Sequence, residues 1–165
     1  FALSHGVHRG ILKSGKFDDR AVFVRKLMEK TKNVKFDIYG IDKVQPIWAD
    51  HYFKTISNSK MGLNLSRGKP TKYYSSNRIA SIIGNGLLTF IDNKVQINDF
   101  FTKDEIIFYD DILDLSDKIK FYAKKDTLRK KIARKGRSKY FKLFNETKIA
   151  KYIVDISFGK KSSLF

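Results

Sequence analysis

Residues 59–90 constrain the fold of this chain more than any other stretch. They contain two short apolar β-favouring segments, at 61–65 and 87–91, separated by a polar loop and a helical pattern. The Gly-Asn-Gly turn at 84–86 ends that helix before the second strand. One face of the helix carries isoleucines at i, i+3 and i+4, namely Ile79, Ile82 and Ile83. The pattern predicts a strand, helix, strand unit of the parallel α/β kind.

The rest of the chain continues this alternation of strands and helices. The predicted strands are residues 1–4, 34–39 and 106–109, and the predicted helices are 18–32, 46–57, 97–101, 112–124, 126–144 and 147–156. The first of these helices carries an apolar stripe of Val22, Phe23, Leu27 and Met28, and Pro46 fits the first turn of the second. With right-handed crossovers, this order predicts a Rossmann-like three-layer α/β domain with a parallel sheet and C-terminal helices. The domain is expected to span residues 1–159, followed by a tail at 160–165.

The cysteine content and net charge of the chain limit the kinds of bonds and binding partners that it can have. The chain has 165 residues and no cysteine, which excludes disulfides and thiolate metal sites and favours a cytoplasmic setting. Its formal net charge of +17 predicts attraction to polyanions, for which nucleic acid, an anionic membrane surface and a nucleotide diphosphate are the candidates.

The basic excess is densest in the predicted helix at 126–144 and just before it. Its members are Lys124, Lys125, Arg129, Lys130, Lys131, Arg134, Lys135, Arg137, Lys139 and Lys142. Apolar residues fall between them at helical spacing, so the helix is amphipathic. Two interpretations stay open: a packing helix with a solvated basic face, or contact with a membrane surface or another polyanion.

The loop and helix after the strand at 61–65 form the first candidate site. In parallel sheets ligands bind at the carboxyl ends of strands, so both segments are expected to face one crevice. The polar residues there are Asn64, Ser66, Arg67, Ser75, Ser76, Asn77 and Arg78. A helix N-terminus with an arginine favours an anion, and Arg78 can bind phosphate through two nitrogens. The alternative for Arg78 is a salt bridge to Asp92 or Asp99, and Tyr73 and Tyr74 either flank a nucleotide or sugar ring or pack in the core.

The turn at 5–16 is the second candidate site, because it follows a predicted strand and precedes a helix. Three glycines allow backbone N–H groups to approach an anion, and Arg9, Lys13 and Lys16 add charge. A structural surface loop is the alternative. His5 and His8 are the acid–base candidates by chemistry, and a metal site is not expected because no carboxylate or thiol cluster accompanies them.

The spacing of Arg78 and Gly86, with a small-residue turn and an apolar strand after the helix, resembles the donor-site core of GT-B glycosyltransferases. The resemblance covers nearly the whole order of elements and is to the C-terminal, nucleotide-sugar-binding half of that fold. The nearest likeness is to the bacterial spore-maturation branch. Ser81 stands where those proteins carry the acidic residue that binds the donor ribose.

The resemblance implies transfer of a sugar from a nucleoside diphosphate donor to a hydroxyl of a sugar, lipid or protein acceptor. The donor diphosphate would contact Arg9, Lys13, Lys16, Ser75, Ser76, Asn77 and Arg78. The nucleoside or sugar would contact Tyr39, Gly40, Asn64, Ser66, Tyr74 and Ser81. It implies no cofactor or metal, assigns no catalytic residue, and expects an N-terminal GT-B domain missing from this chain.

Two alternatives accompany this interpretation. The first is a non-enzymatic α/β module that binds a polyanion through its basic helix, with affinity that falls steeply with salt. An anionic membrane on the cytoplasmic side suits that module better than nucleic acid, since no aromatic-rich RNA-binding signature is present. The second is a degenerate glycosyltransferase domain, suggested by Ser81.

Overall fold

A computed structural model describes residues 18–162, in which helices flank a three-stranded parallel sheet. The helices are α1 (Arg20–Lys30), α2 (Ala49–Ser57), α3 (Asn77–Gly84), α4 (Ile112–Lys124), α5 (Asp126–Leu143) and α6 (Glu146–Ser157). The strands are β1 (Met61–Asn64), β2 (Leu88–Asp92) and β3 (Ile107–Tyr109), and two 3₁₀ turns follow β2 at Asn93–Val95 and Ile97–Asp99. The predicted Rossmann-like α/β fold is confirmed.

The three strands run in the same direction and lie in the order β1, β2, β3. Met61 is opposite Leu88 in the first pair, and Phe90 is opposite Ile107 in the second. All three strands therefore end at one side of the sheet, at Asn64, Asp92 and Tyr109, and we call this side the carboxyl edge.

Each face of the sheet is covered by a different set of helices, because successive strand side chains point to opposite faces. On one face Phe90 packs with residues of α1, α4 and the middle of α5, such as Leu27 and Leu115. On the other face Ile91 packs with α3 and with the end of α5. The predicted isoleucine stripe of α3 is confirmed: the exposed fractions of Ile79, Ile82 and Ile83 are 0%, 4% and 2%.

The segment at 34–39 corrects a predicted strand. Within the described residues only Tyr39 of this segment makes a β-bridge. The alternating side chains still point inward, since Val34, Phe36 and Ile38 pack against the core. The alternation therefore predicted the burial of these side chains correctly, although the described backbone at 35–38 forms no strand.

The first two helices also correct details of the sequence analysis. α1 buries Ala21, Val24 and Leu27, whereas Val22, assigned to the apolar stripe, is 47% exposed. α2 begins at Ala49, after Trp48 with its extended backbone, so Pro46 precedes the helix instead of starting it.

Some predictions concern residues that the structure does not describe. The predicted strand at 1–4 and the turn at 5–16, with Arg9, Lys13 and Lys16, lie outside the described residues. Between residues 18 and 162, no helix has both the length and the apolar character needed to cross a bilayer.

Candidate functional site

Arg78 lies in the first turn of α3 and faces the carboxyl edge. Its Nη1 atom donates a hydrogen bond to the backbone oxygen of Leu65, directly after β1, at 2.7 Å. Burial lowers the pKa of Arg78, and the nearby charge of Arg20 lowers it further. The predicted alternative of a salt bridge to Asp92 or Asp99 is not what the structure shows, since a backbone carbonyl holds the guanidinium.

Two more arginines meet near this point around one carboxylate. The Nη2 atom of Arg20 is 2.5 Å from the Oδ2 atom of Asp18, and the Nε atom of Arg67 is 3.7 Å from the same oxygen. Asp18 also interacts electrostatically with Arg78. We call Arg20, Arg67 and Arg78, with Asp18 among them, the arginine cluster. Its cations outnumber that carboxylate, so it suits an anion.

Asp18 is the counter-charge of the cluster. Burial tends to raise the pKa of its carboxyl group, but the hydrogen bonds from Arg20 and the charges of Arg20 and Arg67 outweigh that effect. The pKa of Asp18 therefore lies below its ordinary value, and the carboxylate is ionised at neutral pH.

The start of α3 is open towards the same edge. Ser76 occupies the N-cap position, as predicted, but its side chain does not cap the helix. The Ser76 hydroxyl instead donates to the Oδ1 atom of Asn64 at 3.3 Å. The Ile79 N–H already donates to the Ser76 carbonyl at 2.9 Å, so it is the N–H groups of Asn77 and Arg78 that keep their capacity to bind an anion.

Two buried polar atoms at the carboxyl edge lack a hydrogen-bond partner among the described residues. They are the Nδ2 atom of Asn64 and the hydroxyl of Tyr109. Each side chain belongs to a residue only 2% exposed. Burial, together with the charge of Asp92, raises the pKa of Tyr109, so its hydroxyl keeps its proton. Leaving such a group unpaired typically costs about 1–3 kcal/mol, so a polar partner for either atom would be stabilising.

A cavity of about 140 Å³ lies beside the arginine cluster, on the α1 face of the sheet. We call it the Tyr109 cavity. Its polar lining comes from four parts of the chain: the start of α1, the loop after β1, and the ends of β2 and β3. The residues are Asp19, Arg20, Ser66, Asp92 and Tyr109. Arg20 belongs to both the cavity lining and the arginine cluster, so the two are adjacent.

The other predicted site residues have the following surroundings. Ser75 and Asn77 are exposed at the start of α3, and the hydroxyl of Ser81 donates to the backbone oxygen of Asn77 at 2.9 Å. Tyr39 makes an edge-on ring contact with His51, with centroids 6.0 Å apart. The Gly40 N–H donates to the Val44 carbonyl at 3.0 Å.

Tyr73 and Tyr74 do not pack in the core, which corrects one of their two predicted roles. They are 43% and 48% exposed. Tyr73 contacts Phe100 and donates to Asp99 at 2.5 Å, while Tyr74 lies close enough to Arg78 to interact with its charge.

The structure thus brings Asn64, Ser76 and Arg78 together, as the sequence predicted, and places Ser66 in the adjacent cavity. Sequence reasoning missed Arg20, Asp92 and Tyr109. Asp92 and Tyr109 are the last residues of β2 and β3, so applying the carboxyl-end rule to every strand would have identified them. No such signal marked Arg20.

Comparison with models of known protein families gives a match. A family model described as glycosyl transferase-like matches residues 20–155. The matched range contains all three strands and the three arginines of the cluster, whereas Asp18 lies just before it. No curated protein and no solved structure among those compared matches the chain.

Proposed function

The chain belongs to the glycosyl transferase-like family, and we propose that its carboxyl edge binds the diphosphate of a nucleoside diphosphate sugar. The sugar would then pass to a hydroxyl of a sugar, lipid or protein acceptor. The observation that carries this proposal is the arginine cluster, which lies beside a helix start without a side-chain cap.

The cluster suits a diphosphate because guanidinium groups bind phosphate oxygens through paired hydrogen bonds. Arg78 uses its Nη1 atom for the Leu65 carbonyl, which fixes the orientation of the side chain. A guanidinium has five N–H donors, so others remain for a ligand. A donor held in advance loses less entropy when it binds, which strengthens the contact.

The chemical contribution of this site would be electrostatic. When the bond from the sugar to the diphosphate breaks, negative charge grows on the leaving phosphate oxygen. Arg78 and the first N–H groups of α3 would stabilise that charge in the transition state. If the enzyme inverts, the base that accepts the acceptor's proton would come from an N-terminal GT-B half, as the family resemblance implies.

Isothermal titration calorimetry with uridine, guanosine, thymidine and adenosine diphosphates tests the proposal. We expect one of them to bind, and the Arg78→Ala variant to weaken its binding by about 10-fold to 100-fold, the value of a charged hydrogen bond. Arg134→Ala is the matched control because Arg134 is exposed on α5. Equal affinities of the Arg78→Ala and Arg134→Ala variants would contradict the proposal.

A further inference from the structure

We propose that the Tyr109 cavity receives the sugar ring of the donor, with Asp92 and Tyr109 binding its hydroxyl groups. This inference rests on the proposed function, and it adds a site for the transferred group to the site for the diphosphate. Three features of the cavity support it: its charge, its unpaired hydroxyl and its position.

The cavity differs from the arginine cluster in the charge of its side chains. Two carboxylates, of Asp19 and Asp92, line it beside the single guanidinium of Arg20, so its charge is less favourable to a phosphate group than that of the cluster. A sugar is neutral and carries several hydroxyl donors, which carboxylate oxygens accept. The Oδ1 atom of Asp92 accepts from the Lys94 N–H at 2.8 Å, and the carboxylate has further lone pairs for a ligand.

Tyr109 contributes a hydroxyl that the described part of the chain leaves unpaired. The phenol is fixed by its burial in the core formed with α1 and α4. Since its raised pKa keeps it protonated, the group can both donate to and accept from a sugar hydroxyl. Tyr109 is also a lining residue of the cavity, so a fixed, unpaired and protonated hydroxyl lies next to it, which suits recognition of a polar ring.

The position and size of the cavity match a group attached to the bound diphosphate. Arg20 lines the cavity and also pairs with Asp18 in the cluster, so the next group along the ligand would reach the cavity. At about 140 Å³ the cavity is well below the size of common ligand pockets, roughly 300–1,000 Å³. It suits one ring and not a whole nucleoside.

The test compares each nucleoside diphosphate with its hexose conjugates, using UDP-glucose, UDP-galactose, GDP-mannose, dTDP-glucose and ADP-glucose as probes. We expect Tyr109→Phe to lower the affinity for the bound conjugate by about fivefold to tenfold, the value of one hydrogen bond. The affinity of Tyr109→Phe for the nucleoside diphosphate without its sugar should equal that of the wild-type protein. Tyr122→Phe is the matched control, because Tyr122 contacts Phe90 on the same sheet face and does not line the cavity.

Thermal melting without ligand shows whether the variant folds. The removed hydroxyl has no described partner, so Tyr109→Phe should melt at the wild-type temperature or above it. Unchanged affinity for the conjugate, or equal loss for conjugate and diphosphate, would overturn the sugar subsite. In both cases the proposed function would still hold if Arg78→Ala lowered the affinity for the nucleoside diphosphate. Absence of binding by every nucleotide and conjugate would overturn both proposals.

Discussion

Two regions within residues 18–162 are rich in positive charge, and they differ in how firmly the charged groups are held in place. In the arginine cluster, Arg20 is 12% exposed, and its guanidinium is fixed by Asp18. On α5, Lys130 is 64% exposed, and Arg134 also points to solvent. Solvated charges spread along a helix contribute little fixed geometry, whereas converging, partly buried ones do. The number of cations in a segment therefore says little about how firmly their charges are positioned.

The inward side of α5 explains why that helix is present. Its buried residues are Arg129, Ile132, Ala133 and Gly136, which repeat at the spacing of one helix face. This pattern favours the interpretation of α5 as a packing helix with a solvated basic face. Arg129 was assigned to the basic excess, yet it is only 5% exposed and faces inward. Contact of the exposed face with a membrane or another polyanion stays a prediction.

If α5 serves mainly to pack, the largest effect of a single substitution on that helix should come from Gly136. A Cβ atom at this position would lie 2.1 Å from the backbone oxygen of Glu105, which cannot move as a flexible side chain can. We expect Gly136→Ala to lower the free energy of unfolding by about 3 kcal/mol, at the upper end for overpacked sites. Chemical denaturation would measure the loss.

Gly84→Ala is the control for this substitution. A Cβ atom there would have its nearest contact, the Cζ atom of Phe141, at 3.9 Å, which is ordinary packing distance. Because alanine favours helix more than glycine does, this variant should be neutral or more stable by up to about 1 kcal/mol. Equal stability of the two variants would contradict the close packing of α5 against the backbone at Glu105.

Arg129 provides a second way to test whether α5 separates into a structural side and a solvated side. Its Nη1 atom donates to the Lys60 carbonyl at 3.1 Å, and its Nη2 atom pairs with Asp126. We expect Arg129→Met to cost about 2 kcal/mol of unfolding free energy, because the Lys60 carbonyl loses its charged partner.

Lys130→Met is the matched variant on the solvated side. Lys130 pairs with the same carboxylate, at 2.8 Å, but it is mostly exposed. Its replacement should change the unfolding free energy by less than about 0.5 kcal/mol. A loss as large as that of Arg129→Met would show that the exposed pair matters as much as the buried one.

The arginine cluster should show a smaller, pH-dependent effect through Asp18. The folded-state pKa of this carboxyl lies below the ordinary value of 3.8, so the stability it contributes is present above that pH. That stability is lost as the pH falls through the folded-state pKa. Urea unfolding between about pH 5 and about pH 2 would measure this loss. The free energy of unfolding should fall more in the wild-type protein than in Asp18→Asn. Parallel declines in the two proteins would contradict the ion pairing in the cluster.

The sequence by itself determined the order of strands and helices from β1 onward and the location of one crevice. The Ile79, Ile82 and Ile83 stripe, the glycine turn after it and the apolar strands on either side are local patterns, and local patterns survive folding. The carboxyl-end rule then placed Asn64, Ser76 and Arg78 at one edge, because the ends of parallel strands must meet.

Only the tertiary structure decided which distant residues complete that edge. Arg20 joins the cluster because α1 begins at the carboxyl edge, and Tyr109 lines the cavity because β3 ends there. Likewise, Arg129 turns inward because the Lys60 carbonyl lies opposite it. Such positions depend on how separate elements pack, and the periodicity of one segment contains no information about its neighbours in space. The sequence therefore specifies the elements, while their packing creates the site.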